Sequence, residues 1–473
     1  MGERGRRRMT DPDVDGVDEA LALVGRPQAR PSLPHPPGHR ETAWAQARAI
    51  AARAGRTASA PTRRVPLDAA LGGVLAEPLT ALTDLPSFDT SAMDGWAVAG
   101  PGPWEIRPGD SVLAGHGAVP ALPDGTAVRI ATGARVPADT SAVIRTEHAR
   151  TEPARGARTE ESGGHLYARR EVVPGQDIRP RGQECRTGDR LLPAATVVTP
   201  AVLGLAAAAG YDELVTVDRP RVEVLVLGDE LLPSGVPHDG LIRDALGPML
   251  GPWLRALGAD VLAVRRVGDD ADALHAAVTG TEADLVITTG GTASGPVDHV
   301  HPVLRRAGAE LLVDGVRVRP GHPMLLARLD AATTTATTAT PATTAPGTHR
   351  HLVGLPGNPL AAVSGLLTLA EPLLRGLAGR RPPEPYLAPV RDDVHGHPHD
   401  TRLVPVVHRA GRAVPLHYTG PAMLRGLAAA DGLAVIPPGG ARPGDELEIL
   451  DLPWTASASA PGPAPAAPGG CFT

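Results

Sequence analysis

From Arg221 to about Leu377, apolar runs short enough for strands alternate with longer runs at helical spacing. Val222 to Leu227, Val261 to Val267, Leu285 to Thr289, Glu310 to Val318 and His351 to Leu355 read as strands. Leu241 to Leu257, a stretch capped by Asp269 or Asp270 and ending at Val278, Val297 to Ala307, and Leu360 to Leu377 read as helices. Strands that are apolar nearly throughout need cover on both faces, so the pattern predicts a three-layer α/β/α domain built on a mainly parallel sheet. Ligands of such sheets sit beyond the carboxyl ends of the strands.

Three turns occupy those ends. Gly228-Asp229-Glu230 follows the first strand, Gly290-Gly291-Thr292-Ala293-Ser294-Gly295 with Asp298 follows the third, and Pro356-Gly357-Asn358-Pro359 joins the last strand to its helix. Paired glycines let successive backbone N–H groups converge on an anion, and a following helix adds its positive dipole end. Singly, each is only a turn; together they point to phosphate. Asp229 and Asp298 beside a phosphate suggest Mg²⁺, which takes one or two carboxylates plus phosphate oxygens. Asp at these positions also suits plain helix N-capping.

At 473 residues the chain has room for about three domains. The α/β pattern spans 219–379, interrupted by an Ala/Thr/Pro loop at 331–348 that has no means to bury a core. Residues 1–40, with five prolines between 27 and 37, read as a disordered leader. Residues 41–100 and 179–218 form a discontinuous N-terminal domain, opened by a helix from Glu41 to Ala54 with Gly55 as its stop, and with Thr199-Pro200 opening a second helix. Between them, 101–178 carries short alternating runs broken by Gly and Pro, the pattern of a small inserted β domain, with Ala149 to Gly164 as a mobile surface loop. Residues 380–453 read as a C-terminal small β domain, and 454–473 as a disordered tail.

Composition removes several function classes. The chain has no lysine, so its 46 basic side chains are all Arg, and neither a Schiff base nor a P-loop lysine is available. Eleven aromatic residues and a net charge of −6 give no platform or field for nucleic acid. Cys185 and Cys471 are too few for a disulfide framework, which fits a reducing compartment. The N-terminus runs from arginines into aspartates without an apolar region, and the most apolar stretch, Val197 to Gly210, is short and holds Pro200. A cytoplasmic protein with neither signal peptide nor membrane span is expected.

Further motifs lie upstream. Ser91-Ala92-Met93-Asp94-Gly95 sets small polar residues beside an acid, and Thr132-Gly133-Ala134 with Pro137 is a polar turn after an apolar run. These two, Arg179-Pro180, Gly228-Asp229-Glu230-Leu231, Gly290-Gly291 with Asp298, Pro320-Gly321-His322-Pro323 and Pro356-Gly357-Asn358-Pro359 occur in the order seen in one family. From about Glu41 to Leu450 the chain resembles the molybdopterin molybdenumtransferases, the MoeA-like proteins that include the C-terminal domain of gephyrin.

The resemblance implies an elongated homodimer whose active site lies between the central domain of one subunit and the N-terminal motifs of the other. It implies small-molecule substrates, molybdate and adenylylated molybdopterin, with Mg²⁺, release of AMP and molybdenum left on the dithiolene. Asp94, Asp229 and Asp298 are then expected as catalytic residues, Asp229 and Asp298 as metal ligands. Thr132, Gly290, Gly291, Ser294, Arg319, Pro320, Gly321, Pro356, Gly357 and Asn358 are expected to shape the pterin and nucleotide pocket.

The sequence departs from the family pattern at Gln183, Ala245, Leu246, His322, Leu227 and Ala361. Those losses of polar groups leave a second reading, a diverged non-catalytic paralogue that holds molybdopterin; adenylyl transfer from ATP would use the central domain alone. Arg317 and Arg319 share a strand face before Pro320, where relatives commonly carry lysine, and a guanidinium grips phosphate or molybdate oxygens in a bidentate way. As plain structure they would be solvated surface arginines.

Overall fold

The computed structural model describes residues 41–56, 60–115, 120–153, 163–292, 299–329 and 349–454. The leader 1–40, the loop 331–348, the tail from 455, and Ser294 and Asp298 lie outside the described residues. The chain divides into two compact units, with breaks between Pro61 and Thr62 and between Thr216 and Val217.

In the first unit a six-stranded sheet runs in the order Asp260–Val267, Arg221–Leu227, Leu285–Thr289, Arg350–Leu355, Leu325–Leu329, Glu310–Asp314. The first four strands are parallel, and Leu325–Leu329 is antiparallel to both neighbours. Alternation along the strands explains the two apolar layers. Val222, Val224 and Val226 face one core, with helices Leu246–Ala256 and Pro359–Leu377. Leu225 and Leu227 face the other, with helices Ala271–Gly280 and Val300–Arg306. This is the three-layer domain expected from the strand pattern.

Local chemistry fixes the helix starts. Asp270, not Asp269, caps Ala271–Gly280, its Oδ1 accepting from the N–H groups of Asp272 and Ala273 at 2.8 and 3.0 Å. The helix expected from Leu241 starts only at Leu246, because Ile242–Arg243 pairs as a short strand with Leu231–Leu232 and buried Asp244 accepts from the Gly247 N–H at 2.9 Å.

The single strand expected from Glu310 to Val318 is two. Gly315, at φ +76°, breaks it. Glu310–Asp314 stays at the edge of the central sheet, and Val316–Arg319 crosses into a second sheet between Thr42–Ala43 and Thr401–Arg409. That second sheet continues through Gly432–Ile436, Glu446–Asp451 and Tyr386–Pro389, with Arg412–Pro415 hairpinned on Thr401–Arg409.

The apolar helix Pro359–Leu377 is 19 residues long, sufficient in length and composition to cross a membrane. Its residues from Leu360 to Leu374 are instead buried inside the unit, so its apolarity is spent on the core. Helix Trp44–Arg56, expected to open the N-terminal domain, packs against the last turns of this helix. A Cβ on Gly55 would lie 2.2 Å from the Leu373 carbonyl oxygen, and Trp44 Nε1 donates to Thr368 Oγ1 at 3.1 Å. Gly55 is thus a helix-crossing contact as well as a stop.

The second unit holds a six-stranded sheet in the order Ala149–Pro153, Gly164–Ala168, Trp104–Val112, Thr126–Ile130, Gly95–Val98, Ala142–Arg145. Gly95–Val98 lies inside it and not before it. The ends of the stretch expected as a mobile loop pair as strands, Ala149 opposite Ala168 and Pro153 opposite Gly164. Beside it, Thr62–Pro66, Glu213–Val217 and Val74–Leu75 form a small sheet near helix Pro200–Ala208, whose N-cap Thr199 accepts from the Val202 N–H at 3.3 Å.

One buried group makes the central sheet sensitive to acid. His351 is 1% exposed and its Nδ1 has no hydrogen-bond partner among the described residues. Burial, then repulsion from His349 and Arg328, pushes its pKa down to about 4. A depressed histidine stabilises the fold fully above the unfolded value near 6.5, and that stability is lost as pH falls towards 4. Between pH 7.5 and pH 5 the wild type is expected to lose about 2 kcal/mol more than a His351→Phe variant. Urea unfolding at the two pH values measures it, and equal losses would contradict the assignment.

Candidate functional site

Each unit assembles one constellation of the polar turns. In the first unit three strand ends meet. The Gly290 N–H donates to the Leu355 carbonyl at 2.8 Å, which ties the turn after the third strand to the turn before helix Pro359–Gly365. A Cβ on Gly357 would stand 3.7 Å from Gly290 Cα, and one on Gly290 would stand 3.5 Å from the Leu227 carbonyl oxygen. Gly290 has φ +83°, which only glycine adopts without strain. Leu227 leads directly into Gly228-Asp229-Glu230, so the three turns expected at the sheet end are neighbours.

Asp229 and Glu230 are exposed there. Asp229 reaches the loop after Asp260–Val267, with its Oδ1 2.8 Å from where a Gly268 Cβ would be. The Glu230 carboxylate folds back over Gly228. Among the described residues no group of three His, Cys, Asp or Glu side chains could hold a metal ion.

The Pro320-Gly321-His322 turn joins this constellation from the second sheet. It packs on the first turns of helix Pro359–Gly365, where a Gly321 Cβ would fall 2.7 Å from the Ala361 carbonyl oxygen and 3.2 Å from Ser364 Cβ. The start of that helix, however, is already satisfied. Pro359 has no N–H, the Leu360 and Ala361 N–H groups both donate to the Pro421 carbonyl at 2.9 and 3.2 Å, and Ala362 donates to Asn358. The dipole end expected to receive an anion is thus covered by the chain itself. Asn358 caps the helix without using its side chain, and that exposed amide is what the turn offers a ligand.

Arg319 differs from both sequence readings. It is neither a solvated surface arginine nor an unengaged anion clamp, because its Nε donates to Asp400 Oδ2 at 2.8 Å and its Nη1 lies 3.2 Å from His322 Nδ1. Arg317, two residues earlier, is exposed.

In the second unit Asp94 and Thr132, 38 residues apart, are brought together. Asp94 Oδ1 accepts from the Thr132 N–H at 2.7 Å and from its hydroxyl at 3.0 Å. The Thr132 N–H, then its hydroxyl, hold the Asp94 carboxyl below the usual range despite some desolvation, with Arg129 assisting. The Asp94 loop is itself fixed: Ser91 Oγ donates to the Met93 carbonyl at 2.6 Å, and Ser91 exchanges backbone bonds with Gly133 and Ala134.

The Arg179-Pro180 stretch completes this group. Ile178–Arg179 pairs antiparallel with Thr90–Ser91, and the Arg181 N–H donates to Asp89 Oδ1 at 2.6 Å. Asp84 braces the same loop, accepting from the Thr187 N–H and hydroxyl at 2.7 and 2.9 Å and from Arg181 Nε at 2.5 Å. Thr187's N–H leads the causes that push its pKa down to about 2. Sequence reasoning missed Asp84, Asp400 and Pro421, whose roles depend on partners about 60 to 100 residues away and leave no local motif.

Comparison with known proteins identifies the regions of the chain in which these turns lie. Residues 42–210 match the model of the MoeA N-terminal region (domain I and II), 223–376 that of a probable molybdopterin binding domain, and 388–452 that of the MoeA C-terminal region (domain IV). Molybdopterin molybdenumtransferase 2 of Mycobacterium tuberculosis (strain ATCC 25618 / H37Rv) is 33% identical over 82% of this chain and 94% of its own length. Molybdopterin molybdenumtransferase of Staphylococcus aureus (strain COL) is 30% identical over 68% and 73%. A MoeA protein of molybdopterin biosynthesis from Pyrococcus horikosii shares the fold, with a TM-score of 0.69 at 24% identity over 87% of this chain and 99% of that one.

Proposed function

The chain belongs to the molybdopterin molybdenumtransferase family, and we propose that it acts in molybdenum cofactor biosynthesis by inserting molybdate into adenylylated molybdopterin with release of AMP. The observation that carries this reading is the convergence of the Gly290, Gly357 and Gly321 turns at one end of the central sheet. Cleaving a phosphoanhydride asks mainly for positioning and for donors where charge develops, with little covalent chemistry from the protein. The Gly290-Gly291 and Pro320-His322 turns supply the walls, and the exposed Asn358 amide supplies donors; the Gly290 N–H is already taken by the Leu355 carbonyl. Asp94, held by Thr132, supplies a fixed hydrogen-bond acceptor for N–H or O–H donors of the substrate.

Mg²⁺ fits the first constellation as a substrate-shared ion. Asp229 is exposed at the strand end, and one carboxylate completed by substrate phosphate oxygens and water is an ordinary Mg²⁺ environment. There it would neutralise phosphate charge. Incubation of the purified protein with adenylylated molybdopterin, Mg²⁺ and molybdate should release AMP; nucleotide binding without any release would leave the non-catalytic reading in its place.

In this reading the protein is a cytoplasmic homodimer, and each active site takes its Asp94 group from one subunit and its Gly290 group from the other. Such an arrangement predicts complementation. Asp94→Ala and Asp229→Ala homodimers should each be inactive, whereas a mixture allowed to exchange subunits should recover about a quarter of wild-type turnover, since half its dimers carry one intact site. No recovery in a mixture shown to contain mixed dimers would place both groups in one subunit.

A further inference from the structure

Asp400 precedes strand Thr401–Arg409 of the second sheet, and its side chain is 6% exposed. Its Oδ2 accepts from Arg319 Nε at 2.8 Å across the parallel pairing of Val316–Arg319 with that strand. Arg319 in turn places Nη1 3.2 Å from His322 Nδ1. A guanidinium has donors only, so Nδ1 of His322 is the acceptor in this contact. An imidazole that accepts at Nδ1 carries its proton on Nε2 and is neutral, and a proton on Nδ1 would face the guanidinium.

Among the described residues, the groups around this turn include Arg319 on its own strand, Asp400 and His397 from the loop before Thr401, and Glu41, whose side chain packs at Gly315. His397 Nδ1 receives the N–H groups of Asp400 and His399 at 3.0 and 3.3 Å, so its 3.2 Å approach to Asp400 Oδ2 is packing and not an ion pair. Asp400 therefore has Arg319 as its charged partner, and the backbone on both sides of the carboxylate is held.

We infer that Asp400 is a positioning residue: by fixing Arg319 it sets His322 as a neutral imidazole with its proton on Nε2, so that the Pro320-His322 turn contributes a hydrogen-bond donor and not a second cation. The inference rests on the proposed function for what that donor serves, an oxygen of the anionic substrate. The tautomer itself is independent of turnover.

Nitrogen NMR of the ¹⁵N-histidine-labelled protein, with the His322 signals identified by their loss in His322→Gln, tests it directly. At pH 7.5 the wild type should show an unprotonated Nδ1 and a protonated Nε2. Asp400→Leu should mix the tautomers and raise the KM for adenylylated molybdopterin about ten-fold with kcat within about two-fold, whereas Asp400→Asn, which keeps an acceptor for Nε, should restore both. A wild-type His322 that is cationic or protonated on Nδ1 would overturn the inference. So would an Asp400→Leu protein whose His322 signals match the wild type. A correct tautomer in a protein that releases no AMP would count against the function and leave the positioning role standing.

Discussion

Replacing Asp94 by alanine is expected to lower molybdate-dependent AMP release by about 10²- to 10³-fold, the scale of losing a preorganised polar group at a reacting centre. Asp94 is exposed and contributes nothing to a core, so the variant should keep the near-UV circular dichroism of the wild type. Its carboxylate is fixed through Oδ1 by two donors from Thr132, and those donors keep it ionised well into the acid range. Thr132→Val removes the hydroxyl and leaves the backbone N–H. It should therefore cost far less, about ten-fold or below. Steady-state kinetics on both variants checks the order, and an Asp94→Ala enzyme within two-fold of wild type would remove this residue from the reaction.

The second large effect is expected at Gly321. Its φ of +110° is strained for any side chain, and a Cβ would press on the Ala361 carbonyl oxygen at 2.7 Å. Backbone strain of about 1–3 kcal/mol and the displacement of the turn from the helix act together, so Gly321→Ala should destabilise the first unit by about 3 kcal/mol or more. Substrate affinity should fall with it, because the turn forms one wall of the site. Gly308 provides the control: φ is +68°, but nothing lies within 4 Å of its would-be Cβ, so Gly308→Ala should cost only about 1 kcal/mol. Urea unfolding followed through the buried Trp44 and Trp253 separates the two. Equal midpoints would show that the Pro320-Gly321 turn is not held against the helix.

The central sheet was legible because its strands are apolar on both faces and its turns carry glycine, which are local signals. Parts that depend on distant pairing were not. The strand Leu325–Leu329 sits between Pro323 and a low-complexity stretch, and nothing nearby marks it as a partner of Arg350–Leu355. Glu310 to Val318 reads as one strand, and the pairing of Val316–Arg319 with Thr42–Ala43 and Thr401–Arg409 is what shows that the chain changes sheets at Gly315. Asp94 and Thr132 were each named through family resemblance, in separate roles, and nothing local paired them. The closure of the helix start by Pro421 and the capture of Arg319 by Asp400 were invisible, since each joins segments about 60 to 80 residues apart with no local motif.

Transfer of molybdenum is measured most directly by the molybdenum bound to pterin for each AMP released in a single turnover with purified protein. One metal atom per AMP is expected, with release that stops when molybdate is omitted. AMP release that is indifferent to molybdate, or nucleotide and pterin held tightly with no release at all, would contradict it.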